Sequence, residues 1–289
     1  MPAILCPSCR KLISSDEKRC IHCGQLRPGM WGLTSLLRRA GLGRVDFPHL
    51  ITVTCAALYV LAIALDPGEA LSMRGGFMNV LSPSGEASYK LGMTGMVPVL
   101  AEGRWWTVFT AIYLHGSLLH IFFNVMWVRQ LGPLVEELFG PFRLFVIYTV
   151  AGVSGFALSA LMNAIGGIFN LMGFSLFGGA GYTLGASGAI FGLLAAAIVY
   201  GRRMGSSMFT RQYWQWAIML FVFGLIFPGV DNWAHLGGFI GGYLAAFVFS
   251  RRFVPPEGMA VYVAAGICLV MTVLAFGLQL WTALAGYFR

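Results

Sequence analysis

The chain has 289 residues, of which 58% are hydrophobic and only 10% are charged, and its mean hydropathy is +0.76. A soluble domain carries about 25% charged residues, so this composition excludes a soluble globular protein and indicates an all-α polytopic protein in a lipid bilayer. The net charge of +8 does not indicate nucleic-acid binding, because eight of the 19 lysines and arginines precede residue 48 and most others lie in short loops. No nucleic-acid partner is expected.

Two cysteine pairs open the chain, Cys6-x2-Cys9 and Cys20-x2-Cys23, with ten residues between them. Four thiolates satisfy the tetrahedral coordination of Zn²⁺, and the CxxC spacing lets one tight turn present two sulfurs. Disulfides are the alternative, which a cytoplasmic location disfavours. The pattern predicts a small zinc ribbon whose metal is structural and whose surface suits a cytoplasmic partner.

Seven apolar runs follow the cysteines, each suited to a membrane-spanning helix. They lie at roughly 48–65, 117–135, 142–164, 185–201, 212–228, 233–250 and 260–284. No signal peptide is expected, because the first run comes after a polar segment and no small-residue cleavage site follows it. The first run is therefore predicted to remain as an anchor.

The positions of the lysines and arginines predict an orientation. With the N-terminus in the cytoplasm and the helices alternating in direction, 14 of them lie on the cytoplasmic side and four on the outer side. This bias follows the positive-inside rule. Together with the short loops and the expected lack of a targeting peptide, it favours an integral protein of a bacterial inner membrane.

Two outer segments differ from short connecting loops. Residues 66–116 are rich in glycine and proline and contain Arg104-Trp105-Trp106. This segment is too amphipathic to span the bilayer and too apolar to be fully solvated, so it is predicted to lie at the membrane surface. Residues 166–182 carry no charge and lead towards Ser187, and they are predicted to form a flexible wall beside it.

Two apolar runs each carry one reactive residue near their predicted outer end, in Gly185-Ala186-Ser187-Gly188 and in Ala234-His235-Leu236-Gly237-Gly238. A histidine inside a membrane helix is costly and therefore indicates function. A serine in a Gly-x-Ser-Gly turn is a candidate nucleophile, and the histidine is a candidate base for it.

The second run carries His120 and Asn124, which are four residues apart and therefore share one helical face. The predicted orientation places this pair at the same depth as the serine and the histidine. Small residues accompany both reactive side chains, namely Gly188 on the fourth run and Gly238 and Gly242 on the sixth. Such faces let helix backbones approach closely in a membrane, which makes a serine–histidine hydrogen bond feasible.

Three motifs together resemble the signature of the rhomboid intramembrane serine proteases: Gly185-Ala186-Ser187-Gly188-Ala189-Ile190-Phe191-Gly192, Ala234-His235 with Gly238 and Gly242, and His115…His120…Asn124. The resemblance covers roughly residues 48–250 and implies a six-helix rhomboid core. The seventh run and the zinc ribbon lie outside it, and rhomboids with one added C-terminal helix are a known variant.

The resemblance also implies a role for each matching residue. Ser187 is the nucleophile and His235 the general base and then acid, while His120 and Asn124, with the Ser187 amide, stabilise the oxyanion. Supporting roles fall to an aromatic ring stacked on the histidine, to a structural histidine and to glycines of the two motifs: Phe191, His115, Gly185, Gly188, Gly238 and Gly242. No cofactor is implied for catalysis. The implied substrates are single-pass membrane proteins.

One position departs from the family's pattern. The family often has Trp-Arg at the end of the first outer loop, whereas Thr107 follows Trp106 here. Arg104 is expected to substitute as the anchor of this loop. Asp231 is an alternative third member of a catalytic triad, but its place in a short outer loop favours a solvated carboxylate. Asn232 is expected to cap the sixth helix.

The other classes of function are a catalytically inactive rhomboid-like protein that binds membrane clients, and a transporter. Intact Ser187 and His235 argue against the first, and the lack of inverted repeats and midplane charges argues against the second. The expected domains are a zinc ribbon at 1–27, a basic linker at 28–47, the rhomboid core at 48–250 and an extra transmembrane helix at 251–289.

Overall fold

The architecture comes from a computed structural model, which describes residues 3–6, 9–14, 17, 19–22, 46–72, 80–171, 178–227, 229–250 and 257–285. Cys23 and most of the predicted basic linker at 28–47 lie outside these described residues.

Seven long helices lie at the seven predicted apolar runs. They are α1 (Phe47–Leu65), α5 (Leu118–Phe139), α6 (Pro141–Leu171), α7 (Ser187–Arg203), α8 (Ser207–Ile226), α9 (Asn232–Phe249) and α10 (Met259–Ala285). Four of them, α1, α5, α6 and α10, are long and apolar enough by themselves to cross a membrane. The predicted all-α polytopic membrane fold is confirmed.

The helix boundaries follow from local chemistry. The Ser117 hydroxyl accepts a hydrogen bond from the His120 amide at 3.3 Å and so caps the start of α5. This helix ends at Gly140, whose φ of 98° suits glycine. Both α5 and α6 extend beyond their predicted ends, because neither Pro133 nor Gly166 interrupts the helix that contains it.

Helix α7 lies at the centre of the bundle and packs against α5, α6, α8 and α9. Nearly every residue from Gly188 to Val199 is buried, and six of these twelve are glycine or alanine. Small side chains let four helices surround one, because their backbones can approach closely. Neighbouring helices therefore enclose α7 over most of its length.

Three short helices build the described part of the first outer segment, namely α2 (Pro67–Leu71), α3 (Gly85–Leu91) and α4 (Thr107–Thr110). A π-helical turn at Val97–Ala101 and a 3₁₀ turn at Ala111–Tyr113 complete it. We call residues 80–116 the first outer loop. This loop is not independent of the bundle, because it contacts α1, α6 and α10.

Residues 178–183 pair with the first outer loop through their backbone. The amide of Thr94 donates to the Thr183 carbonyl at 3.0 Å, and the amide of Thr183 donates back at 2.6 Å. The amides of Met96 and Val97 donate to Ala180 and Gly181. The described part of the predicted flexible wall is therefore a paired segment, because each of these backbone groups has a partner.

The C-terminal helix α10 packs against α6 at its side and against α3 and α4 of the first outer loop. Just before it begins, the Glu257 carboxylate accepts a hydrogen bond from the Arg143 amide at 2.8 Å. This contact caps the N-terminal end of α6, where negative charge is stabilised by the helix dipole. Both ends of α10 are thus bonded to the rest of the bundle.

Candidate active site

Ser187 is the first residue of α7, and the preceding turn sets its position. Gly185 has a φ of +133°, a conformation that glycine alone adopts readily, and its amide donates to the Ala111 carbonyl at 2.9 Å. A Cβ at Gly185 would lie 2.7 Å from His120 Nε2, so a larger residue would collide with the imidazole. The same glycine therefore shapes the turn and admits the His120 ring beside Ser187.

Glycines bring α7 and α9 together. A Cβ on Gly238 would collide with the backbone of Gly188, and one on Gly242 would collide with the backbone of Gly192. The carbonyl oxygen of Ala234 lies 3.1 Å from the place where a Cβ on Gly188 would sit. The two helices are thus in backbone contact at the ends that carry the serine and the histidine.

His235 is buried at 5% exposure and is held on two sides. The Phe191 ring of α7 stacks on its imidazole, with ring centroids 4.3 Å apart and an angle of 18° between the planes. On the other side, Nδ1 lies 3.1 Å from the Asn232 side-chain oxygen. An amide oxygen can only accept, so this partner favours a proton on Nδ1 and leaves Nε2 free to act as a base.

Asn232 does not cap α9, so that expectation is wrong. The cap is Asp231, whose carboxylate accepts from the Ala234 amide at 3.0 Å. Asp231 is also only partly exposed, because its second oxygen accepts from the Ser159 hydroxyl at 2.6 Å. Its two oxygens are engaged by the helix end and by α6, whereas Asn232 contacts the histidine.

Ser187, the candidate nucleophile, is partly exposed. Within the described part of the chain, no hydrogen bond joins Ser187 Oγ to the His235 ring. Catalytic hydrogen bonds are often long in a substrate-free enzyme and shorten in the complex. The structure therefore brings together the two helix ends and the Phe191 support, but not the two reactive atoms themselves.

The oxyanion candidates lie on α5, beside the Gly185 turn. His120 Nδ1 accepts from the Gly116 amide at 3.3 Å, which places the ring proton on Nε2, the atom next to Gly185. Asn124 donates one amide hydrogen to the His120 carbonyl at 2.8 Å, so its second hydrogen remains for another acceptor. His115 is buried and its ring packs edge-on against His120 at 5.1 Å.

Arg104 is buried and its guanidinium makes several contacts that hold the first outer loop. It donates to Gln279 of α10 at 2.8 Å and to the Tyr89 carbonyl at 3.3 Å, and it lies over the Tyr89 ring. Thr107 is completely buried, with its hydroxyl 2.9 Å from Thr94 Oγ1. The position after Trp106 thus takes a small residue, and the arginine three positions earlier makes the polar contacts.

The cysteine-bearing segment contains a short hairpin, formed by β1 (Ala3–Leu5) and β2 (Leu12–Ser14) with Ile4 paired to Ile13. The sulfurs of Cys6, Cys9 and Cys20 lie within 4.8 Å of one another. Three thiolates at this spacing fit a single tetrahedral metal ion. The fourth predicted ligand, Cys23, lies outside the described residues.

The sequence did not reveal the roles of two polar residues, Asn232, which was expected only to cap a helix, and Gln279. Asn232 was identifiable as a side chain three positions before the histidine, on the same helical face. Gln279 stands as a single amide within an apolar run, and a polar side chain in such a run needs a partner. In both cases the polar residue stood out in the sequence, but the sequence did not indicate which side chain it contacts.

Comparison with known proteins places these features in a family. The Rhomboid domain matches residues 102–252, so the chain belongs to the rhomboid family. It is 32% identical over 178 residues to RHOMBOID-like protein 1 of Arabidopsis thaliana, a match that covers 60% of this chain and 42% of that protein. It is 34% identical over 152 residues to Rhomboid protease GluP of Bacillus subtilis, covering 51% of this chain and 27% of that protein. The chain thus matches less than half the length of these relatives.

Proposed function

We propose that the chain is an intramembrane serine endopeptidase with a Ser187–His235 dyad. The observation that carries the proposal is the backbone contact between the serine end of α7 and the histidine end of α9, with the imidazole held between Phe191 and Asn232. Two fixed partners orient the base without a carboxylate. The similarity to a protein named as a rhomboid protease supports the same activity.

The reaction has two stages. In the first, Ser187 Oγ attacks the peptide carbonyl carbon while His235 Nε2 takes the hydroxyl proton, and the same proton then passes to the leaving amine. This stage breaks the C–N bond and leaves an ester on the serine. In the second, His235 takes a proton from water, whose oxygen attacks the ester carbonyl, and returns it to Ser187 Oγ as the acid leaves.

The negative oxygen formed in each stage needs hydrogen-bond donors. The Ser187 amide at the start of α7, the Nε2 hydrogen of His120 and the second amide hydrogen of Asn124 are the donors we propose. Removal of one such donor from a preorganised site costs about 2.7–4 kcal/mol of transition-state stabilisation. No metal or cofactor takes part in the proposed reaction.

The proposed substrates are single-pass membrane proteins. A peptide bond within a membrane helix is shielded and hydrogen-bonded, so a segment rich in glycine or proline must unwind before its carbonyl reaches Ser187. Water reaches the dyad from the outer face, beside the first outer loop. An inactive protein that binds the same clients is the alternative.

The test uses full-length protein in nanodiscs with a reporter helix that carries a Gly-Pro segment in its outer half. Wild type should cleave the reporter, and Ser187→Ala should insert normally but not cleave it. A fluorophosphonate probe should label wild type and leave Ser187→Ala unlabelled. Cleavage that persists in Ser187→Ala would refute the dyad, and an unlabelled, inactive wild type would establish the client-binding alternative.

We further propose that Cys6, Cys9, Cys20 and Cys23 bind one structural Zn²⁺ in a ribbon at 1–27. The proposed arrangement is an N-terminal cytoplasmic ribbon, a basic linker at 28–47, a rhomboid core at 48–250 and an added helix at 251–289. The charge bias supports this orientation, and the short loops support a bacterial inner membrane. Protease protection of the N-terminus in sealed inside-out vesicles would contradict the orientation.

A further inference from the structure

Gln279 is a buried amide in the last helix, outside the residues that match the Rhomboid domain. Its side-chain oxygen accepts from Arg104 at 2.8 Å and from the Trp106 indole at 3.2 Å. Its side-chain nitrogen donates to the carbonyls of Tyr89 at 3.1 Å and Lys90 at 2.8 Å. A glutamine has two acceptor sites and two donor hydrogens, so all four are used. Every partner belongs to the first outer loop.

The same loop is bonded to the segment that leads into Ser187. Thr107 follows the Arg104–Trp106 turn, and its hydroxyl lies 2.9 Å from that of Thr94. Thr94 in turn exchanges two backbone hydrogen bonds with Thr183, four residues before Ser187. Gly185 is bonded to the loop as well, through the Ala111 carbonyl. An unbroken set of contacts therefore runs from Gln279 to the turn that holds the nucleophile.

We propose that Gln279 is a positioning residue, through which α10 fixes the first outer loop and the Gly185–Ser187 turn in the arrangement that reacts. The inference rests on the proposed proteolytic function. Chains of packed and hydrogen-bonded groups can carry energetic coupling between separate sites, and the described residues supply such a chain. The bond from Glu257 to the start of α6 holds the other end of the helix, so α10 cannot simply follow a movement of the loop.

The substitution that tests this is Gln279→Leu. A cavity of about 150 Å³ lies beside Gln279, lined in part by Tyr89, Lys90 and Thr282, so a leucine does not overfill the site. The variant removes all four hydrogen bonds at once. Leu280→Ala is the matched control, because its side chain points about 100° around the same helix from Gln279 and is 61% exposed.

The first readout is kinetic, with the Gly-Pro reporter helix in nanodiscs. Gln279→Leu should lower kcat about 10- to 100-fold with little change in KM, because misplacement of a reacting group by about 1 Å can lower a rate about 100-fold. Leu280→Ala should match wild type. All rates are measured well below each variant's thermal midpoint, so a general loss of stability does not produce the effect.

The second readout does not need activity. Hydrogen exchange of the peptide at 178–186 reports the Thr183 and Gly185 amides, and it should become about tenfold faster in Gln279→Leu and remain unchanged in Leu280→Ala. Thr107→Val removes the hydroxyl that contacts Thr94, midway between Gln279 and Ser187, and should produce the same increase in exchange. This variant replaces Gln279→Leu if Gln279→Leu does not fold. Wild-type exchange and wild-type kcat in Gln279→Leu would overturn the proposal. An inactive wild type would refute the protease and leave the exchange result to decide the positioning role.

Discussion

The role of Asn232 in the structure differs from the role that its sequence position predicted. It contacts His235 Nδ1, while its neighbour Asp231 binds the helix end and Ser159. The proposed dyad therefore has a neutral third group where many serine proteases have a carboxylate. A neutral amide orients the ring without adding a buried charge, which a membrane interior would make costly.

Asn232→Ala is expected to lower kcat about 10- to 100-fold, because the imidazole loses the partner that fixes its orientation and tautomer. Asp231→Asn is the matched comparison, and it should keep most activity because asparagine caps helices about as well as aspartate. Reporter cleavage and the rate of fluorophosphonate labelling measure both. If Asp231→Asn lost as much activity as Asn232→Ala, the carboxylate would be the partner of the histidine.

The Ser187 and His235 motifs were predictable from the sequence because each is local, with its glycines within seven residues of the reactive side chain. The contact of Phe191 with His235 joins two helices, so only the family resemblance implied it. The contact between Gln279 and Arg104 was not predicted, because the two residues lie 175 positions apart and no periodicity relates them. Local patterns thus predicted the helices, which are confirmed, and the candidate reactive residues, which stay a prediction. The contacts that connect distant segments required coordinates.

At the scale of helices, α7 and α9 can cross in backbone contact because the residues at the crossing are glycines, which have no side chain. Gly238 and Gly242 on α9 face Gly188 and Gly192 on α7, and both helices also touch α6 through Gly155 and Ala151. Association of helices in lipid relies on close packing and not on the hydrophobic effect. The same glycines that join these helices therefore set the distance between the serine and the histidine.

Gly238→Ala is expected to abolish reporter cleavage and to destabilise the protein by about 1–3 kcal/mol, because the new methyl group would overlap the Gly188 backbone. Gly277→Ala in α10 is the control, since nothing lies within 4 Å of the added Cβ, and it should be neutral or stabilising by up to about 1 kcal/mol. Denaturation in detergent and cleavage in nanodiscs test both. If the two variants had equal effects on stability and cleavage, the protein would tolerate a larger distance between α7 and α9.

The zinc ribbon gives a prediction about metal content. Purified protein should contain about one zinc per chain, and Cys9→Ser should lower this content because one of four thiolates is lost. Cys268→Ser, in α10, should retain the metal. Elemental analysis after gel filtration provides the measurement. A zinc-free wild type purified without chelators would refute the ribbon.

At the scale of the whole molecule, α10 is bonded to the rest of the bundle through Gln279 near its C-terminal end and through Glu257 just before its N-terminal end. Burial raises the pKa of the Glu257 carboxyl above its ordinary value of 4.5, and the bond from Arg143 opposes this only in part. The folded protein therefore holds this proton more tightly than the unfolded chain. The free energy of unfolding should fall as the pH rises from 4.5 through the raised pKa.

Glu257→Gln keeps an oxygen for the Arg143 amide and removes the charge that burial disfavours. It should raise the thermal midpoint by at most a few degrees at pH 7.5, and the difference from wild type should vanish near pH 4.5. Glu137→Gln, which changes an exposed carboxylate on α5, is the matched control. The thermal midpoints of wild type and both variants are measured by unfolding in detergent across this pH range. A lower midpoint for Glu257→Gln than for wild type at pH 7.5 would mean that the carboxylate stabilises the fold.

The short length of α7 has a consequence for where hydrolysis occurs. Its 17 residues span about 25 Å at 1.5 Å per residue, whereas the hydrocarbon layer is about 30 Å thick. Arg202 and Arg203 mark its basic end, which the bilayer holds at the headgroups. The opposite end then stops about 5 Å short of the far headgroups. In the proposed protease, this shortfall of the central helix would let hydrolysis occur below the membrane surface without a channel through the bilayer.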